Sequence, residues 1–124
     1  PYGNIEYPID LSMMAKVIGA PYVARWTTAH PIQCINSIKK ALQKTGFSFV
    51  EILSPCPTSY GRMNKMGTTL DMTKHFKENT INIKLYEKII AEGKTTDKMI
   101  IGELVDTEKE DFNAKYKKFC GELK

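Results

Sequence analysis

FSFVEILSPCPTSYGR, residues 47–62, runs the strongest strand pattern in the chain straight into its stiffest loop. FSFVEIL (47–53) is a near-continuous series of aromatic and β-branched residues, the composition of a strand covered on both faces in a parallel α/β sheet. The pattern stops at Ser54, and Cys56 follows between Pro55 and Pro57. Prolines on both sides fix backbone φ and remove amide donors, so the thiol is held on a rigid segment. In parallel α/β sheets ligands gather outside the carboxyl ends of the strands, and Ser54-Pro55-Cys56-Pro57 begins at such an end.

Upstream of this stretch, residues 1–9 hold two prolines and a glycine and read as a loop. Asp10 is a suitable N-cap for a helix in LSMMAKVIG, which Gly19 would stop. YVARW after Pro21 is a short strand. Pro31 then suits the first turn of a helix in IQCINSIKKALQKTG, where Ile32, Ile35, Ile38 and Leu42 form one apolar stripe, the buried side of a half-buried helix. Helix, strand, helix, strand with short joints predicts βαβ construction and an α/β fold, a parallel sheet with flanking helices.

Downstream, residues 54–69 form a loop carrying Arg62 and Lys65. LDMTKHFK (70–77) makes a helical turn or two, and INIKLYEKIIAEG (81–93) a helix. KMIIGELVD (98–106) reads as a strand or edge ribbon weakened by Gly102. TEKEDFNAKYKKFCGELK (107–124) is a charged helical tail with Phe112, Tyr116 and Phe119 on one face. The expected organisation is one partial domain over 1–124: so few strands make a thin core, and the most buried one wants parallel neighbours on both sides. Missing strands would come from a preceding region or a partner chain. The absence of an initiator Met points the same way.

With 124 residues, 42% hydrophobic and 26% charged, the chain fits one soluble globular unit. A net charge of +4 without clustered Lys and Arg argues against a nucleic-acid surface. No apolar run approaches the ~18 residues of a membrane span, and the N-terminus lacks the pattern of a secretion signal. Cys34, Cys56 and Cys120, odd in number and widely spaced, make a poor disulfide framework, so a reducing cytoplasm is expected.

GxGxxG, Walker, HExxH, CxxC and GxSxG motifs are all missing. His30 precedes a helix-starting proline and reads as a loop residue. His75, between Lys74 and Lys77, reads as a surface residue. Cys34 is expected to be an inert thiol in its helix, and Cys120 a packing residue or a spectator. For Cys56 the residues leave three readings open: an ordinary loop cysteine, a nucleophile with no identified base, or one ligand of an iron–sulfur cluster whose other ligands lie elsewhere.

PYGNIE, YVARWTT and GFSFVEILSPCPTSYGR carry a resemblance that covers residues 1–67. This part resembles the C-terminal part of the β subunit of 2-oxoacid:ferredoxin oxidoreductases, most of all the 2-oxoglutarate (2-oxoglutarate synthase) branch. The tail from residue 68 is less diagnostic. The resemblance implies a thiamine diphosphate-binding fold with Mg²⁺ and a 4Fe–4S cluster beside the cofactor. It makes Cys56 a cluster ligand, with the other cysteines upstream, two of them in a CxxC. The GDG…N element that holds thiamine diphosphate and Mg²⁺ is also upstream, and these 124 residues contain neither motif. The implied reaction is oxidative decarboxylation of a 2-oxoacid to acyl-CoA and CO₂, with electrons passing to ferredoxin. The implied partners are an α subunit, ferredoxin, coenzyme A and the 2-oxoacid substrate. Arg62 and Lys65 are candidates for attracting acidic ferredoxin or the anionic substrate, or are plain surface charge. The isolated chain is then expected to be inactive. A second reading makes it a structural module that completes a sheet and a subunit interface.

Overall fold

The structure is a computed structural model and describes residues 5–122. The loop reading of 1–9 and the end of the helical tail therefore fall partly outside the described residues; residues 5–9 carry neither helix nor strand. Helix α1 (Leu11–Val17) begins where predicted, with the Asp10 carboxylate accepting from the Met13 N–H at 2.8 Å. Strand β1 (Tyr22–Thr27), helix α2 (Pro31–Gln43) and strand β2 (Ser48–Leu53) form the expected βαβ unit. The two strands run parallel, from Tyr22 beside Ser48 to Thr27 beside Leu53.

Strand β1, not β2, is the covered centre. Every residue of β1 is buried. Tyr22, Ala24 and Trp26 meet Cys34 of α2, while Val23 packs with Ala15 of α1 on the other face. Apolar composition had singled out FSFVEIL for burial on both faces, yet β2 is half-buried and lies at the sheet's edge. Composition reports what a strand tolerates, whereas burial depends on which neighbours are present.

After β2 come a single π-helical turn (Pro57–Gly61), α3 (Thr69–Glu78), β3 (Thr80–Asn82), α4 (Ile83–Ala91), β4 (Met99–Asp106) and α5 (Phe112–Glu122). Helix α3 is longer than the one or two turns expected because Thr68 and Asp71 form a reciprocal capping box at its start. Ile81 and Asn82 of β3 open the stretch read as all helix. The sheet order is β2-β1-β4-β3. Its β1–β2 and β3–β4 ladders are parallel, but β4 runs antiparallel to β1. The sheet is therefore mixed, not wholly parallel as predicted, and β4 sits inside it, not at its edge. The β1–β4 register shifts between Val23 and Ala24. Gly102 of β4 has φ +129°, and a Cβ there would lie 2.9 Å from Ile83 Cγ2, so the glycine admits α4 against the strand.

Helix α2 departs most from expectation. Its buried face is Cys34 and Ser37, with the Trp26 indole N–H donating to Ser37 Oγ at 2.7 Å. Small residues let the helix lie close on the sheet, so the larger Ile32, Ile35, Ile38 and Leu42 point outward. Ile32 is 69% and Leu42 82% exposed. The stripe was legible; the side it faces was not.

Candidate functional site

The carboxyl ends of β1 and β2 are tied by a bond from the Thr28 N–H to the Leu53 carbonyl (3.0 Å), and the loop bearing Cys56 leaves from there. The Cys56 carbonyl accepts from the Gly61 N–H at 2.8 Å, closing the π-helical turn and turning the first backbone N–H groups back toward the thiol. Backbone N–H groups of Tyr60 and Ser59, with the Thr58 hydroxyl, hold the Cys56 thiol below the usual thiol range. Cys56 is exposed, so these hydrogen bonds favour the thiolate form while the sulfur remains open to solvent.

Beside Cys56 lies a cavity of about 250 Å³, walled chiefly by Tyr60, Met66, Met72, His75 and Phe76. Gly61 is buried against Met72, whose sulfur would stand 2.6 Å from a Cβ at that position. The loop is thus clamped to α3 by the absence of a side chain. His75 is exposed, as predicted, but borders this cavity; its Nδ1 lies 3.0 Å from Asn79 Nδ2, not on the thiol. Among the described residues no base is hydrogen-bonded to Cys56, which disfavours the nucleophile reading. No spacing in the sequence places Met72, His75 and Phe76 of α3 on the same cavity as Cys56, because the arrangement arises from the fold-back of α3.

The remaining candidates stand apart. His30 Nδ1 lies 2.9 Å from Thr27 Oγ1, and burial, then nearby Lys77, depress its pKa. Cys34 is buried with its Sγ 3.5 Å from the Thr27 carbonyl, and burial pushes its thiol up, as suits an inert core cysteine. Cys120 is half-buried on α5. Arg62 and Lys65 are exposed just past the π-helical turn; Lys65 has φ +52° and borders a separate polar cleft with Asp71, Lys74 and His75. Among the described residues no three His, Cys, Asp or Glu side chains come together as a metal site. Cys56 is therefore one donor and not a set.

One charged cluster escaped the sequence reading. Arg25, from the middle of buried β1, donates through Nε to Glu51 Oε2 at 2.7 Å and through its terminal nitrogens to Asp10. Ser12 Oγ donates to the same Glu51 oxygen at 2.5 Å. Burial works against the Asp10 carboxylate, but bonds from Arg25 and the Met13 N–H outweigh it and keep the carboxyl below its usual range. The signal was the register: Arg25 and Glu51 are paired positions of adjacent strands.

No family model matches the chain. Over all 124 residues it is 48% identical to 2-oxoglutarate synthase subunit KorB of Methanocaldococcus jannaschii, covering 46% of that protein. It is 51% identical over 86% of its length to the same subunit of Methanothermobacter marburgensis, covering 37% of that protein. The chain thus spans less than half the length of these curated relatives. Its structure aligns over 99% of its residues with 42% of a chain of 2-oxoglutarate:ferredoxin oxidoreductase from Magnetococcus marinus, at a TM-score of 0.72 and 23% identity, which shows a shared fold. The resemblance read from residues 1–67 holds, and extends through the tail.

Proposed function

We propose that this chain is the C-terminal part of the β subunit of a 2-oxoacid:ferredoxin oxidoreductase, with 2-oxoglutarate as the oxoacid. The observation that carries this reading is the 48% identity over the whole chain to a 2-oxoglutarate synthase subunit. The parent would oxidatively decarboxylate its substrate to acyl-CoA and CO₂ together with an α subunit, passing electrons to ferredoxin. Because the chain contains no GDG…N and no CxxC, thiamine diphosphate, Mg²⁺ and the other cluster cysteines are assigned to parts of the subunit outside it.

The residues present fit one corner of a 4Fe–4S cluster. Cys56 offers a soft, exposed sulfur whose thiolate form two backbone N–H groups favour, with an apolar cavity beside it. When bound, the cluster and thiamine diphosphate would supply the one-electron transfer and the electron sink of the decarboxylation. The part of this chain is holding and shielding. Cys56 binds iron, the Ser59 and Tyr60 N–H groups withdraw charge from its sulfur, and Met66, Met72 and Phe76 keep water from that side. Arg62 and Lys65, exposed beyond the turn, offer a positive surface to an acidic electron acceptor. The test is Cys56→Ala in the complete subunit, purified without oxygen. Loss of cluster iron and of its paramagnetic signal is expected, and full iron content with normal electron output would overturn the assignment.

A second role is favoured for the isolated chain by the outward apolar stripe of α2: it completes a sheet and an interface and has no oxidoreductase activity of its own.

A further inference from the structure

We infer that Gly61 and Met72 are positioning residues for the Cys56 sulfur: their contact holds the turn after Cys56 in place, and through it sets the reduction potential of a cluster bound there. The cluster half of this inference rests on the β-subunit reading above; the contact itself belongs to the chain as it stands.

Glycine is ordinarily kept where the backbone needs positive φ, as at Gly19, Gly46 and Gly67. Gly61 adopts no such angle, so an alanine there meets no backbone strain and is judged by space alone. Space is what it lacks. A Cβ at position 61 would lie 2.6 Å from Met72 Sδ and 3.2 Å from Met72 Cε, well inside van der Waals contact. Gly61 is buried and Met72 is 3% exposed, so one of the two sides must give.

Of the two, the turn yields. Pro57, Thr58, Ser59 and Tyr60 are all exposed. At its end the Gly61 N–H donates to the Cys56 carbonyl and the Met66 N–H to the Gly61 carbonyl, each at 2.8 Å. Met72, by contrast, is carried by a ten-residue helix whose start is locked by the Thr68–Asp71 capping box. Pushed by a methyl group, residues 59–61 move outward, and the Ser59 and Tyr60 N–H groups lose their aim at the sulfur. Hydrogen bonds to a ligating sulfur withdraw charge from it and favour the reduced cluster, so their loss lowers the potential. The Cys56 side chain is untouched, and iron stays bound.

The test crosses Gly61→Ala with Met72→Ala, which removes the sulfur that the methyl would strike. In the chain itself, Gly61→Ala should quicken hydrogen exchange at residues 59–61 at least ~10-fold more than at the amides of β1. In the double variant those rates should return to the rates of Met72→Ala alone. A merely structural role would quicken turn and strand alike. In the complete subunit, purified without oxygen, the four proteins should hold equal iron. Gly61→Ala should lower the reduction equilibrium ~10-fold, about 59 mV for one electron, only where Met72 is present. Should Met72→Ala fail to fold, Met72→Val also ends short of the sulfur position and takes its place. Iron lost from Gly61→Ala and regained in the double variant would support the inference in a stronger form. Turn amides indifferent to Gly61→Ala, or quickened equally in both backgrounds, would overturn it. A potential that ignores Gly61→Ala, in a subunit whose iron depends on Cys56, would sink this inference alone. Turn amides that respond as described, with iron indifferent to Cys56, would sink the cluster assignment alone.

Discussion

The thiol of Cys56 owes its character to backbone, not to neighbouring charge. Two N–H groups of the following turn point at the sulfur, and donors aimed at an anion favour the anion, so ionisation begins below the ordinary thiol value of 9.0. Iodoacetamide alkylation of the native isolated chain, followed at Cys56 by peptide mass spectrometry, should therefore show its half-maximal rate below pH 9. An inflection at or above 9 would mean that those bonds do not form in solution. Cys34 provides the internal contrast, since burial raises its pKa and blocks the reagent, and it should react only as fast as the chain opens. The position of Cys56 just past a strand was legible, because the end of a strand pattern marks itself. Its companions were not: Met72, His75 and Phe76 reach it only through the return of α3, a non-local contact that no spacing encodes.

At the scale of elements, Arg25 joins α1, β1 and β2 through Asp10 and Glu51. Its side chain is 9% and that of Glu51 17% exposed, so removing the guanidinium leaves a carboxylate largely out of water without a cation. Arg25→Met should cost about 2–4 kcal/mol in urea unfolding at pH 7. The Arg25→Met, Glu51→Leu double variant should recover a good part of it, because a lone buried charge costs more than an apolar pair. Loss below ~1 kcal/mol in the single variant would show that the cluster is solvated in practice. Acid sharpens the test. The folded-state pKa of Asp10 lies below its unfolded value of 3.8, so the stability it contributes is present above 3.8 and is lost as pH falls through the folded value. The stability gap between Arg25→Met and the parent chain should accordingly be widest near neutral pH and narrow as pH falls below 3.8. Gly102 carries a different element contact. Gly102→Ala forces a methyl to 2.9 Å from Ile83 Cγ2 at φ +129°, and a loss of about 2–4 kcal/mol is expected. An unchanged urea midpoint would mean that α4 leaves room for the methyl against β4.

The whole molecule is two parallel ladders joined back to back. The β1–β2 pair with α1 and α2 came readily from the sequence, since helix and strand alternate there with short joints. The β3–β4 pair did not, because a three-residue strand gives no period to read, and the antiparallel β1–β4 seam between the pairs is set by residues some eighty positions apart. Polar contacts mark that seam. Tyr22 Oη donates to Glu103 at 2.8 Å, Lys40 Nζ lies 2.9 Å from Glu103 and 2.5 Å from Asp106, and the same ammonium sits 5.6 Å from the centre of the Tyr22 ring. The lysine pairs are part-exposed and worth little singly, with a median of ~0–1 kcal/mol. Tyr22 is the fixed member, completely buried, and burial foremost, aided by its bond to the Glu103 carboxylate, pushes its phenol up to about 12. A raised folded-state value favours the protonated phenol, so the stability it contributes is complete below the unfolded value of 10.0 and is lost as pH rises toward 12. In a 295 nm titration one of the six tyrosines should stay un-ionised until the seam opens, and its late ionisation should coincide with loss of the far-ultraviolet signal. In Tyr22→Phe the late step should vanish, with a cost of about 1 kcal/mol at pH 7 from the lost hydrogen bond. Six tyrosines titrating together near 10 while the chain stays folded would show that β4 is not seated on β1, and the two ladders would then have to be regarded as separate bodies.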